Sequence, residues 1–173
     1  MAELSPMMKQ YFRIKEENKD SILFFRLGDF YEMFYDDAKL ASKELELTLT
    51  GRDCGQEERA PMCGVPFHSA ESYIARLVSK GYKVAICEQT EDPAKAKGLV
   101  RRDIIRVITP GTVMESSMLD ESENNFICSA YSDKNHIGIV FCDISTGQLF
   151  VSQLKADSSF TELKDQITSY SPK

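Results

Sequence analysis

The chain has 173 residues, 42% of them hydrophobic and 28% charged, with a net charge of −6. That length holds one large domain, or one domain with part of another, and the composition argues against a disordered or membrane-embedded chain. The acidity is unevenly spread, so it weighs little against a polyanionic partner: residues 1 to 115 carry 17 basic and 19 acidic side chains, residues 116 to 173 carry 4 and 8, and all eight arginines lie in the first stretch.

Ser5-Pro6, followed by apolar Met7, Met8, Tyr11, Phe12 and Ile14, predicts an N-capped amphipathic helix ending near Asn18. "SILFFRL" is a dense β-forming run, Gly28-Asp29 signals a tight hairpin turn, and "FYEMFY" is the returning strand. A helix is expected from Asp36 or Asp37 through "DDAKLASKEL", then a short alternating strand, "ELTLTG". Residues 51 to 67, "GRDCGQEERAPMCGVPF", carry three glycines and two prolines and predict a loop with turns. Ala70, Tyr73, Ile74, Leu77 and Val78 then share one helical face, with Ser69 to cap it and Gly81 to stop it. "YKVAICE" and "DIIRVIT" read as strands, separated by the polar "QTEDPAKAKGLVRR".

Pro110-Gly111 and the acidic, serine-rich run after it mark a boundary. The expected organisation is a domain over 1–115, a linker over 116–125 and a second unit over 126–173. In that unit "FICSAY", "HIGIVFCDI" and "GQLFVSQL" are strands at hairpin spacing, and a helix uses Phe160, Leu163 and Ile167. Three strands and one helix close a poor core, so the sequence is expected to stop inside this unit. The fold class expected from the pattern is mixed α/β, a small mixed sheet with surrounding helices.

Five cysteines, at 54, 63, 87, 128 and 142, are odd in number and lack C-x-x-C spacing, which signals neither a disulfide framework nor zinc. The start, "MAELSPMMKQ", has no basic segment leading into an apolar one, so a cytoplasmic chain is expected, with no membrane partner. No G-x-x-x-x-G-K-[ST] occurs, and ATP hydrolysis by these residues is not expected.

"RLGDFYEMFYDD" stands out. With Gly28-Asp29 at the turn, Leu27 faces Phe30, Phe25 faces Glu32 and Leu23 faces Phe34 across the ladder. Glu32 is then the one charge on an apolar face, a costly place unless it lies near the edge or meets a partner. Three readings fit these residues. The face can simply end at the tip, with Phe30 and Glu32 on the rim. Asp29, Glu32, Asp36 and Asp37 can be a metal cluster for phosphoryl chemistry, although alternation separates them and the last two suit a helix start. Or an aromatic wedge beside a carboxylate can insert into something that stacks, as apolar side chains do between base steps.

"FFRLGDFYEMFYDDA", "PMCGVPFHSAESYIARLVSKGYKVAICEQTEDP" and "KGLVRRDIIRVITPGT", in that order, resemble the N-terminal mismatch-recognition domain of the MutS family of bacterial DNA mismatch-repair proteins. The resemblance runs over residues 5 to 115 almost without interruption. Residues 126 to 173 resemble the opening of the family's connector domain, which implies a partial RNase H-like α/β fold. The family's Phe-x-Glu reader maps onto Phe30 and Glu32, with Tyr31 between them as a further expected DNA contact. The resemblance implies that the ring stacks on a mispaired or unpaired base from the minor groove, that the carboxyl hydrogen-bonds to that base, and that the duplex kinks.

It also implies double-stranded DNA with mismatches or small insertion loops as ligand, with one subunit of a homodimer making the contact. MutL would be the downstream partner, ATP and magnesium the cofactors of a full-length protein, and the nucleoid the location. Arg52 and Lys97 are candidate backbone contacts, and Val65 to His68 a backbone-approach loop permitted by Gly64. Met33 can pack beneath the wedge or in the core. Glu32 is expected to act partly as a protonated donor. His68 has no nucleophile in view, and Asp143, in "GIVFCDISTG", sits where RNase H-like enzymes hold metal, so a decayed site is expected there. The rivals are a metal-dependent nuclease using Asp143 or Asp29 and Asp36, and a protein-interaction module.

Overall fold

The computed structural model describes residues 3–92, 94, 96, 98–120, 122–157 and 159–173. They form two compact units, residues 1–109 and 110–173, each with its own sheet.

The first unit opens with α1 (Pro6–Glu17), capped as its sequence predicts: the Ser5 hydroxyl accepts from the Met8 amide. β1 (Ser21–Leu27) and β2 (Phe30–Phe34) form the expected hairpin. Gly28 has φ +56° at the first turn position while Asp29 does not share that sign, the pattern of a II′ turn, which wants glycine first. α2 (Tyr35–Leu45), β3 (Thr50–Arg52), β4 (Ala60–Pro66), α3 (Ala70–Ser79), β5 (Lys83–Gln89) and β6 (Arg102–Ile108) complete the unit. The sheet order is β3-β4-β2-β1-β5-β6, antiparallel except where β1 runs parallel to β5.

Strand alternation sends Leu23, Phe25, Phe34 and Cys87 to a core shared with Met8, Tyr11 and Ile14 of α1. Tyr11 meets Phe25 and Phe34 edge-to-face, with centroids 5.6 and 5.1 Å apart. Phe24, Met33, Cys63 and Val65 point the other way and are also fully buried, with the Cys63 thiol donating to the Ala38 carbonyl of α2. Met33 is therefore core, on the face opposite Phe30 and Glu32.

Three expectations need correction. Residues 60–66 are a strand, not part of a loop: Pro61 and Pro66 lie near its ends, where a missing N–H costs little, and this kept the pattern from reading as a strand. The strand expected over 46–51 shrinks to Thr50–Arg52, because Glu46 takes a left-handed conformation (φ 59°) to close α2 and the Leu47 amide bonds back to Ser42. Finally, pairing of β1 with β2 stops at Phe25 and Glu32 instead of reaching Leu23 and Phe34. Beyond that pair β2 keeps its pairing with β4 alone, and Asp37 Oδ2, from the first turn of α2, takes the Leu23 amide at 2.9 Å. Asp37 thus does more than begin a helix, since its Oδ1 also accepts from Lys15 Nζ at 2.9 Å.

The second unit is an antiparallel meander, β7 (Phe126–Ser132), β8 (His136–Asp143) and β9 (Gln148–Lys155), followed by α4 (Thr161–Tyr170). Its core is small: Phe126, Ile139 and Phe141, with Tyr170 stacked on Phe141 at 4.2 Å. Tyr131, Leu149 and Val151 are exposed.

Candidate nucleic-acid interface

The hairpin tip is held from several sides. Phe30 pairs with Leu27 on one side and with Pro66 on the other, and the amide of Phe67, just after β4, donates to the Asp29 carbonyl in the turn at 2.9 Å. A 3₁₀ turn, Phe67–Ser69, follows, so Val65 to His68 is a strand end and a turn rather than a free loop. Arg26 stacks its guanidinium 3.7 Å from the Phe67 ring centre, donates to the Gly28 carbonyl, and pairs with Glu88 of β5 at 3.2 Å. Of these contacts only the facing of Leu27 and Phe30 is legible in the sequence; for Arg26 the hairpin register, which sets it against Tyr31, was the available signal.

On that frame Phe30 is the apolar projection, 46% exposed at a strand start, with Phe67 close to it in chain pairing and 41% exposed. Tyr31 points to the opposite face: it is buried, and its hydroxyl donates to Glu88. Burial, with the Glu88 carboxylate adding to it, pushes that phenol up to about 12. Tyr31 is placed as a brace behind the tip. His68 is exposed in the 3₁₀ turn, edge-on to Phe67 at 5.8 Å. Lys97 lies outside the described residues.

Glu32 has a partner. Arg52, at the end of β3, sets Nη1 at 2.7 and 2.6 Å from the two carboxylate oxygens. The Glu32 side chain is 12% exposed and that of Arg52 37%. Between their strands, in β4, stands Gly64, paired with Glu32. A Cβ there would lie 3.3 Å from Glu32 Cγ and 3.2 Å from the Tyr31 carbonyl. Phe30 and Glu32 also line an open cleft of about 280 Å³ with Thr48, Thr50, Met62, Cys63 and Gly64. The arrangement offers a stacking ring, a fixed acceptor and a cation still open to solvent, with no nucleophile or base pair among them.

The other acids have structural work. Asp36 pairs with Lys39 one turn along α2. Asp143 is 1% exposed and accepts from the Asn125, Ser145 and Thr146 amides and the Ser145 hydroxyl, tying the β8–β9 turn to the start of β7. The Ser145 hydroxyl, with those amides, holds its carboxyl below the usual aspartate range. Among the described residues no group of three or more His, Cys, Asp and Glu is placed to hold a metal. Asp143→Ala is expected to cost about 1 to 3 kcal/mol, chiefly by leaving the buried Asn125 amide unpaired. Because the folded carboxyl titrates lower than the unfolded one, its contribution is present above about pH 4 and is lost as pH falls further, which thermal unfolding between pH 2 and 6 will measure.

Two family models match the chain: MutS domain I over residues 5–117 and MutS domain II over residues 125–173. The chain belongs to the MutS family. It is 64% identical over 172 residues to the DNA mismatch repair protein MutS of Acetivibrio thermocellus, covering 99% of this chain and 20% of that protein. The MutS of Ruminiclostridium cellulolyticum is 61% identical with the same coverage, and that of Clostridium tetani 58% identical over 170 residues, covering 98% of this chain and 19% of the relative. The chain thus spans about a fifth of the length of the MutS proteins it matches. Among the described residues no helix is long and apolar enough to cross a membrane.

Proposed function

We propose that this chain is the mismatch-reading part of a DNA mismatch-repair protein, and that Phe30 is the wedge that enters the duplex from the minor groove while Glu32 hydrogen-bonds to the base it meets. The observation that carries this is a solvent-facing phenyl ring on a braced two-residue turn, with a carboxylate two residues away on the same strand face. A ring stacks on any base, so selectivity has to come from the difference in cost between duplexes. Opening a base step costs about a few kcal/mol, and bending a site of this size roughly 1 to 6 kcal/mol. A mispaired step has already lost part of its pairing and stacking. The kink is cheapest where the error lies, and the protein reads deformability instead of sequence.

Arg52 and Lys97 are our candidates for backbone contacts, with His68 and the neighbouring turn at the edge of the groove. To the full-length protein we assign homodimerisation with one subunit reading the mismatch, ATP and magnesium, transfer of the signal to MutL, and a place on the bacterial nucleoid. Fluorescence anisotropy of the full gene product with G·T, single-unpaired-base and G·C duplexes tests the reading. Tighter binding to the first two, with closer approach of the duplex ends by energy transfer, is the expected result. Equal affinity for all three would overturn it and favour a protein-interaction role.

A further inference from the structure

The function of Arg52 follows from how the sheet delivers it. Glu32 and Arg52 belong to β2 and β3, which are separated by β4, so the two side chains meet by reaching over a third strand. The residue of β4 beside Glu32 is Gly64, and its missing Cβ leaves Glu32 Cγ room over the β4 backbone. Beyond it Arg52 uses one nitrogen, Nη1, for both carboxylate oxygens. A carboxylate has about four lone-pair sites. One nitrogen bridging both oxygens occupies a single site on each, so each oxygen keeps a further site for a ligand. The rest of the Arg52 side chain remains partly exposed.

We propose that Arg52 is the positioning residue for Glu32, holding it as an aimed, charge-balanced carboxylate whose remaining sites accept from N–H donors on an unpaired base edge. The inference rests on the mismatch reading of Phe30 and Glu32. It replaces the expected protonated donor with an acceptor, and this gives Glu32 a chemical preference. On the minor-groove side, A·T pairs show only the acceptors of adenine N3 and thymine O2, and G·C adds one amino donor. Ring N–H groups such as thymine N3–H are spent in Watson–Crick pairing. A carboxylate pressed against an intact pair therefore meets mainly acceptors and is repelled, whereas a base freed from its partner exposes a donor. Arg52 limits the penalty for holding a carboxylate on a largely apolar face before that donor arrives.

The test uses the full gene product in four forms, wild type, Arg52→Met, Glu32→Ala and the double variant, with affinities for G·T and G·C duplexes across a salt series. A positioning role predicts that Arg52→Met lowers the G·T to G·C ratio about ten-fold, and that it lowers it no further once Glu32 is alanine. Equal weakening of both duplexes, additive with Glu32→Ala and accompanied by a salt slope reduced by about 0.9, would make Arg52 a phosphate contact only and overturn the proposal. A second arm needs no Arg52 variant. A duplex with an unpaired thymine is compared with one carrying unpaired 3-methylthymine, which lacks the N3–H. About ten-fold weaker binding of the methylated base by wild type, absent in Glu32→Ala, is expected. No difference in wild type would overturn the acceptor role. Phe30→Ala separates the failures: if it leaves the ratio intact, the mismatch reading itself falls, and if it abolishes a ratio that Arg52→Met leaves alone, only the role given to Arg52 falls.

Discussion

Phe30→Ala is expected to bring the affinity for G·T and unpaired-base duplexes down to that for matched duplex, while binding to matched duplex stays within a factor of two or so of wild type. Base-on-aromatic stacking is worth about 1 to 3 kcal/mol, which is roughly 5- to 150-fold in the dissociation constant. The ring is 46% exposed at the tip, so its loss leaves little cavity and the melting temperature is expected to hold. Arg26 and Glu88, which brace the turn, remain in place in the variant. Titration of the variant beside wild type at one salt concentration, with a thermal melt of each, checks both halves. A variant that keeps wild-type preference for G·T contradicts the wedge.

Asp37→Ala is expected to destabilise the first unit by about 1 to 3 kcal/mol, because it leaves the buried Leu23 amide without its acceptor and takes a carboxylate partner from Lys15 Nζ, which keeps the Ser21 carbonyl. Asn in its place keeps an acceptor for Leu23 and is expected to cost less. Burial is the main reason why the Asp37 carboxyl lies above its ordinary value of 3.8, with Lys15 and Leu23 opposing the shift. The folded state then holds this proton to higher pH than the unfolded state does. The contribution of Asp37 protonation to stability is full below about pH 3.8 and fades as pH rises through the raised folded value. Urea unfolding of wild type and Asp37→Asn from pH 3 to 7 should show wild type losing ground to the variant over that rise. A parallel pair of curves would contradict it.

Much of this was legible from spacing. The first helix and its cap, the Gly28-Asp29 turn and the facing of Phe25 with Glu32 follow from local rules of capping, turn chemistry and alternation, and all are present. β4 was not legible, since prolines at 61 and 66 and glycine at 64 are breakers by local rule, and only the flanking strands make 60–66 extended. The cost of missing it was specific. Without β4 in place, Arg52 has no route to Glu32, and Gly64 reads as freeing a loop rather than as leaving room beside Glu32. Arg26 and Glu88 were hidden for a similar reason, because they lie 62 residues apart and meet only through the pairing of β1 with β5. The Phe-x-Glu pair rose above a rim reading through family resemblance, not through pattern.

The parallel pairing of β1 with β5 also sets an order of events during synthesis. The tip is written early, and the Leu27 to Phe30 hairpin closes on nearest neighbours. Its rear support, Phe25 beside Cys87 and Glu88 beneath Arg26 and Tyr31, leaves the ribosome some 60 residues later, about 3 to 12 seconds at ordinary elongation rates. Until β4 emerges the nascent hairpin has two unpaired edges, and after that the β1 edge stays open until β5 arrives, a state open to chaperones or to a neighbouring chain on the same polysome. Arrival of β5 ends the exposure and stiffens the tip together, so an unfinished chain has a tip still lacking its rear support.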